Sequence, residues 1–210
     1  MRLPFILPIL LWFLICGVCF AQNGSPAFEK VHQLMRAGEV EKAESKARTL
    51  LEESPTDLET RLLVAQILNF DGRPDDSIKI LQDGIEQASK DDQRYLSYYI
   101  GSVAMKTAED GPFVTRKRGT VSYQPADESV DKQAFVNRYV KTAETAFQRA
   151  VDLFDDDIRS LHGLAQAVSL SSTPKRAVPL WKKLLERGQA VNPEFELEYI
   201  GLLFLSLIHI

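Results

Sequence analysis

The chain has 210 residues, 45% hydrophobic and 26% charged, a composition that excludes wholesale disorder and suits one compact domain or one short solenoid. Its formal net charge is −4, and without the first 21 residues, whose only charge is Arg2, 24 basic residues face 29 acidic ones, or −5. That balance excludes a global attraction to nucleic acid or to an anionic membrane surface.

Residues 1–21 read as an export signal. Arg2 supplies the positive flank, the stretch from Phe5 to Phe20 is apolar, and Cys19-Phe20-Ala21 sets small residues at −3 and −1 of a bond before Gln22. The expected location is periplasmic or extracellular. The alternative is an uncleaved anchor, because residues 3–21 form an uncharged run of 19, close to the ~18 needed to span a bilayer. A lipoprotein reading is weaker, since bulky Ile15 and Val18 precede Cys16 and Cys19. Both cysteines lie in this segment, so a cleaved chain has no disulfide, thiolate nucleophile or cysteine metal site.

Beyond the signal, helical periodicity dominates. Helices are expected over 26–37, 58–70, 94–107 and 158–169. Each is followed by a second apolar face at helical spacing: Ala43, Ala47, Leu50 and Leu51; Ile78, Leu81 and Ile85; Ala143, Phe147, Ala150 and Val151; Ala177, Trp181, Leu184 and Leu185. Gly38-Glu39-Val40-Glu41-Lys42-Ala43 recurs 34 residues later as Gly72-Arg73-Pro74-Asp75-Asp76-Ser77, and Ala143 to Ala177 is again 34. Gly38 and Gly72 stand where a helix must stop and the chain reverse, and glycine accepts the left-handed conformation that ends helices. Ala43, Ser77, Ala143 and Ala177 fall where two helix axes approach closely, and Pro55 closes the first unit.

Residues 109–133 interrupt the third unit. The segment holds Gly111-Pro112, Gly119 and Gln124-Pro125-Ala126, lacks helical periodicity, and is expected to be a long solvated insertion. Its basic run Arg116-Lys117-Arg118 offers a second reading, a loop that contacts a partner. A fifth unit starts at about Asn192. Residues 205–210 match what a widely used transposase adapter end encodes in one frame, so read-through of adapter sequence is expected beyond about Phe204.

The period, the turn glycines, the small residues, Ile100-Gly101, and the Ala143, Phe147, Ala150 spacing together resemble the tetratricopeptide repeat over about residues 26–200. The resemblance implies an all-α, right-handed superhelical solenoid of antiparallel helix pairs. The units run about 24–57, 58–91, 94–157 with the insertion 109–133, and 158–191. Ser77 and Gly84 depart from the family by replacing expected alanines, and the large aromatic that opens the first helix is missing in most units.

Chemistry for catalysis is not found. His32, His162 and His209 lack the spacing of a metal-binding helix pair, and no phosphate loop, nucleophile elbow or zinc-type cluster occurs. Asp155-Asp156-Asp157 is expected to cap the helix at Ile158 rather than hold calcium, since it lacks spaced oxygen ligands. No cofactor or metal is expected, and the chain is read as a non-catalytic binding scaffold of the cell envelope. The resemblance implies a protein or peptide partner on a concave face lined by the first helices, placing His32, Met35, Gln66, Phe70, Tyr95, Tyr98, Met105, His162 and Gln166 near it. Met35, Phe70 and Met105 have core burial as the competing assignment. The family's carboxylate clamp is absent, because Phe28, Leu62 and His162 stand where a lysine is needed. Two other functions stay open: a repeat region of a larger truncated enzyme or sensor, and a module that self-associates through its ends. N-terminal sequencing of the exported product is expected to begin at Gln22, and a product that begins at Met1 contradicts cleavage.

Overall fold

The computed structural model describes residues 25–124 and 129–188. The export segment, the start of a fifth unit and residues 205–210 lie outside the described residues. Among the described residues, eight α-helices and one small hairpin follow in chain order: α1 Pro26–Arg36, α2 Val40–Glu53, α3 Leu58–Phe70, α4 Pro74–Ile85, α5 Lys90–Asp110, β1 Val114–Lys117, β2 Thr120–Tyr123, α6 Lys132–Leu153, α7 Ile158–Ser169 and α8 Val178–Gly188. A 3-10 turn, Pro174–Ala177, leads into α8. The result is an all-α solenoid of helix pairs, α1/α2, α3/α4, α5/α6 and α7/α8, in which every helix packs on the next in sequence.

The local chemistry differs between the two helices of a pair. Each first helix starts on a side-chain cap: Ser25, Asp57, Ser89 and Asp157 accept a hydrogen bond from a backbone N–H of the first turn. Such a cap is worth ~1 kcal/mol. The first two second helices start without one, because the chain enters them straight from a tight reversal. Gly38 and Gly72 sit at φ +77° and +79°, and the next amides, Glu39 and Arg73, donate back to Leu34 and Leu68 at 2.9 Å each. That pairing closes the orphan carbonyls of α1 and α3.

α5 begins four residues earlier than periodicity predicts and ends three later, since Ser89 caps it and Asp91 and Asp92 favour its positive end. The expectation of an irregular insertion over 109–133 is corrected more substantially. β1 and β2 pair antiparallel in register Lys117↔Thr120 to Val114↔Tyr123. Arg118 and Gly119 form the two-residue turn at φ +53° and +74°. The strands carry β-branched Val114, Thr115, Thr120 and Val121, and both turn residues occupy the left-handed region that two-residue hairpins favour. Gln124 N–H donates to the Phe113 carbonyl at 2.8 Å and extends the ladder.

Two apolar clusters form the core, one in the first two units and a larger one from α3 to α8, with Ile80 packed against both. Ala43, Ser77, Ala143 and Ala177 are each 0% exposed, at the close approaches that their size permits. Ser77 keeps a polar atom there because its hydroxyl donates to the Ala65 carbonyl at 2.8 Å. Gly84 has a different reason. A Cβ at this position lies 2.3 Å from Nε of Arg61, a buried guanidinium that donates to the Ile80 and Pro55 carbonyls at 2.8 and 2.5 Å. Burial pulls the Arg61 pKa below its ordinary value.

The third unit turns on Phe147. Its ring, 2% exposed, lies between Gly101 of α5 and Gly163 of α7, where an added Cβ reaches the ring at 2.7 and 2.5 Å. Gly163→Ala is expected to cost about 1–3 kcal/mol, the usual penalty of overpacking, read as a lower urea midpoint. Adding Phe147→Leu is expected to recover part of the loss, and an unchanged midpoint for Gly163→Ala contradicts the slot.

Candidate binding surface on the first helices

The first helices lie side by side, α3 against α5 and α5 against α7. Periods of three and four put the predicted residues in one stripe per helix: His32 and Met35 on α1, Gln66 and Phe70 on α3, Tyr95 and Tyr98 on α5, His162 and Gln166 on α7. His32 and Gln66 are exposed, while Met35, Phe70, Tyr95, Tyr98, His162 and Gln166 are half-buried. Met105 is corrected. It is 7% exposed and packs in the larger core cluster, so it offers no surface to a partner.

The stripes meet most closely between α5 and α7. The Tyr98 ring stands edge-on to Phe147 and to Tyr99, with centroids 5.9 and 5.7 Å apart, and the Arg159 guanidinium of α7 lies 5.5 Å from its centroid. Arg94 covers Tyr95 at 4.5 Å and Phe154 at 4.7 Å. His162 stands edge-on to Trp181 at 5.5 Å, and the indole N–H donates to Ser169 Oγ at 3.0 Å. Rings fixed in this way keep an apolar body and a polar rim without a large entropy loss on binding. Between the two arginines sits Asp157, whose carboxylate accepts from the Ser160 hydroxyl at 2.8 Å and the Arg159 N–H at 3.2 Å. It lies 3.8 Å from Arg94 and 3.9 Å from Arg159. Asp157 is therefore shared between two cations.

Arg94 and Arg159 join the aromatics and amides of this surface, which the sequence reading did not expect. The available signal was spacing: Arg159, His162 and Gln166 are i, i+3 and i+7 on α7.

The basic run has a different fate from the one expected. Lys117 is exposed, the Arg116 side chain lies outside the described residues, and Arg118 is turned back onto the fold. Arg118 N–H donates to the Phe70 carbonyl at 2.6 Å, its Nε donates to Asp71 Oδ1 at 3.0 Å, and its Nη2 pairs with Glu41. The hydrogen bonds to Asp71 and then Glu41 hold the Arg118 pKa above its ordinary value. The Glu41 carboxyl sits below its usual range, first through a backbone hydrogen bond at its own residue and then through Arg118. Arg118 is thus paired with units one and two in this conformation, and Lys117 is exposed.

The acidic run at 155–157 is also spent locally. Asp157 caps α7, and Asp155 accepts from Arg187 Nη2 at 2.9 Å, which lowers its carboxyl pKa. Among the described residues, no three His, Cys, Asp or Glu side chains converge as metal ligands, and no helix is long and apolar enough to cross a membrane.

Residues 34–97 match the family model described as tetratricopeptide repeat, which spans the end of α1 through the first turns of α5. Among solved structures, the chain is similar to one titled "MamA RS-1 ArsTM double mutant", with a TM-score of 0.52 and 16% identity over 88% of this chain and 84% of that one. It is also similar to YrrB, titled as a TPR protein with an unusual peptide-binding site, with a TM-score of 0.48 and 13% identity over 86% of this chain and 74% of that one. No curated protein sequence matches. The family match and the MamA likeness establish a tetratricopeptide-type fold.

Proposed function

We propose that this chain is a non-catalytic scaffold that binds a protein or an extended peptide along the surface of its first helices. The observation that carries the proposal is the α5/α7 seam, where Tyr95, Tyr98, His162 and Gln166 stand half-buried beside the exposed Arg159. Interfaces concentrate their energy in a few fixed aromatics and arginines with a polar rim, and this seam has that composition. The exposed Arg159 guanidinium beside Tyr98 favours a segment that carries a carboxylate near an apolar side chain. The tetratricopeptide fold supports the same reading by analogy.

The place of action proposed here is outside the cytoplasm, in the cell envelope, on the strength of Arg2, the apolar run that follows it, and the small residues before Gln22. The scaffold needs no cofactor for this role.

Selection of the full chain against a displayed library of random peptides is expected to enrich acidic, apolar sequences. Arg159→Ala is expected to weaken the selected peptide about tenfold, or ~1.4 kcal/mol, while Lys79→Ala on the exposed side of α4 leaves its affinity unchanged. Equal losses for both variants, or none for Arg159→Ala, place the binding surface elsewhere.

A further inference from the structure

Stacked repeats touch only their neighbours, so a contact that skips a unit needs its own explanation. The hairpin of unit three makes one. Its tip residue, Arg118, meets three groups at once: the Phe70 carbonyl at the end of α3, Asp71 in the turn that follows, and Glu41 at the start of α2, 77 positions away in sequence. Gly119 lies over the Phe70 ring, since a Cβ there comes within 3.8 Å of Cε2. Away from the tip Phe113, Val114, Thr115 and Val121 are half-buried. Lys117, Thr120 and Ser122 are exposed, and Tyr123 is 80% exposed. A two-stranded ribbon has little stability of its own, so its order depends on contacts with the repeats, and the polar ones at the tip are those of Arg118.

The attachments suit a reversible closure. Glu41 and Arg118 expose 73% and 39% of their side chains, so salt screens the pair between them. Asp71 is half-buried, yet it also faces Arg73 Nε at 3.5 Å, so departure of Arg118 does not strand its charge. Arg73 in turn pairs with Glu44, and the acids of the turn keep a cation in either state. Arg118 itself occupies φ +53°, where glycine or asparagine is usual, and its guanidinium gives the position a use that neither of those residues supplies.

We propose that the hairpin is an electrostatic strap: closed, it ties unit three to units one and two and covers Phe70; open, it frees those units to flex and uncovers the Phe70 end of α3. Cations that compete for Glu41 and Asp71, and ionic strength itself, set the balance. The effect of the strap on partner access rests on the first-helix reading given above, whereas the strap's own opening does not.

Backbone amide exchange on the full chain, with no partner present, tests the opening. At 20 mM NaCl the amides of Arg118 and of the ladder positions Thr115, Lys117, Thr120 and Ser122 are expected to be protected. Arg118→Ala, or 500 mM NaCl, is expected to speed their exchange at least tenfold while the Val64 to Leu68 amides inside α3 keep their wild-type rates. The Glu41→Gln/Asp71→Asn pair is expected to do the same. It also serves as the test if Arg118→Ala disturbs α3, because neither residue belongs to the apolar core. Hairpin exchange that ignores both salt and the Glu41/Asp71 pair overturns the strap, as does a wild-type hairpin that exchanges at free-peptide rates at low salt. None of these outcomes involves peptide binding, so the strap and the binding surface fail or survive separately.

Discussion

The ring of Phe147 in its slot between Gly101 and Gly163 is the contact on which the second half of the solenoid depends. One second-helix side chain there touches both the first helix of its own unit and the first helix of the next, so α5, α6 and α7 are set by a single aromatic. The absence of two Cβ atoms makes this possible, and the ring in turn supports Tyr98 at its edge. Packing at that site therefore reaches the surface: the orientation of Tyr98, and with it the cation-π contact of Arg159, follows from where Phe147 sits. Interiors packed to crystal-like density transmit such constraints with little slack.

Charge is divided between the two sides of the array. On the second-helix side, arginines of one unit reach acids of the unit before: Arg73 to Glu44, Arg138 to Asp75 at 3.3 Å, and Arg176 to Glu144 at 2.7 Å. Glu44 and Glu144 each directly follow a small close-approach residue, Ala43 and Ala143, so the pairs repeat with the fold. Tyr139 joins this set. Its hydroxyl donates to Asp75 at 2.8 Å, and burial together with that carboxylate pushes its pKa up to about 12, which keeps it a neutral donor. These groups are occupied in joining units. On the first-helix side, Arg94 and Arg159 stack on rings and share one acid, Asp157.

The repeat was legible in the sequence wherever a residue answers to a backbone or steric demand that recurs every 34 positions. Gly38 and Gly72 had to be glycine to reverse the chain, and Ala43, Ser77, Ala143 and Ala177 had to be small, so period and architecture could be read directly. Asp157 was legible as a cap for the same reason. The departures were not, because they compensate one another across space: Gly84 makes sense only beside Arg61, and those two residues lie 23 positions apart. The hairpin was not legible in helical periodicity, because its strands are four residues long and only Gly119 followed by Thr120-Val121 marks the turn. Met105 shares the spacing of the surface stripe on α5, and only the packing of α6 against that helix decides that it faces inward. The choice of surface residues fell short for a related reason. A cation-π pair such as Tyr98 with Arg159 joins two helices that the sequence sets 61 positions apart.

The central claim is that a partner lies along the first helices and not along the second. Site-specific photo-cross-linking tests it most directly, with a photoreactive residue placed in turn at the exposed positions His32 and Gln66 of the first helices and at Lys79 and Gln148 of the second. The account predicts cross-links to a selected peptide from the first-helix positions, with little or none from Lys79 and Gln148. Cross-links from Lys79 and Gln148 with none from His32 and Gln66 contradict it.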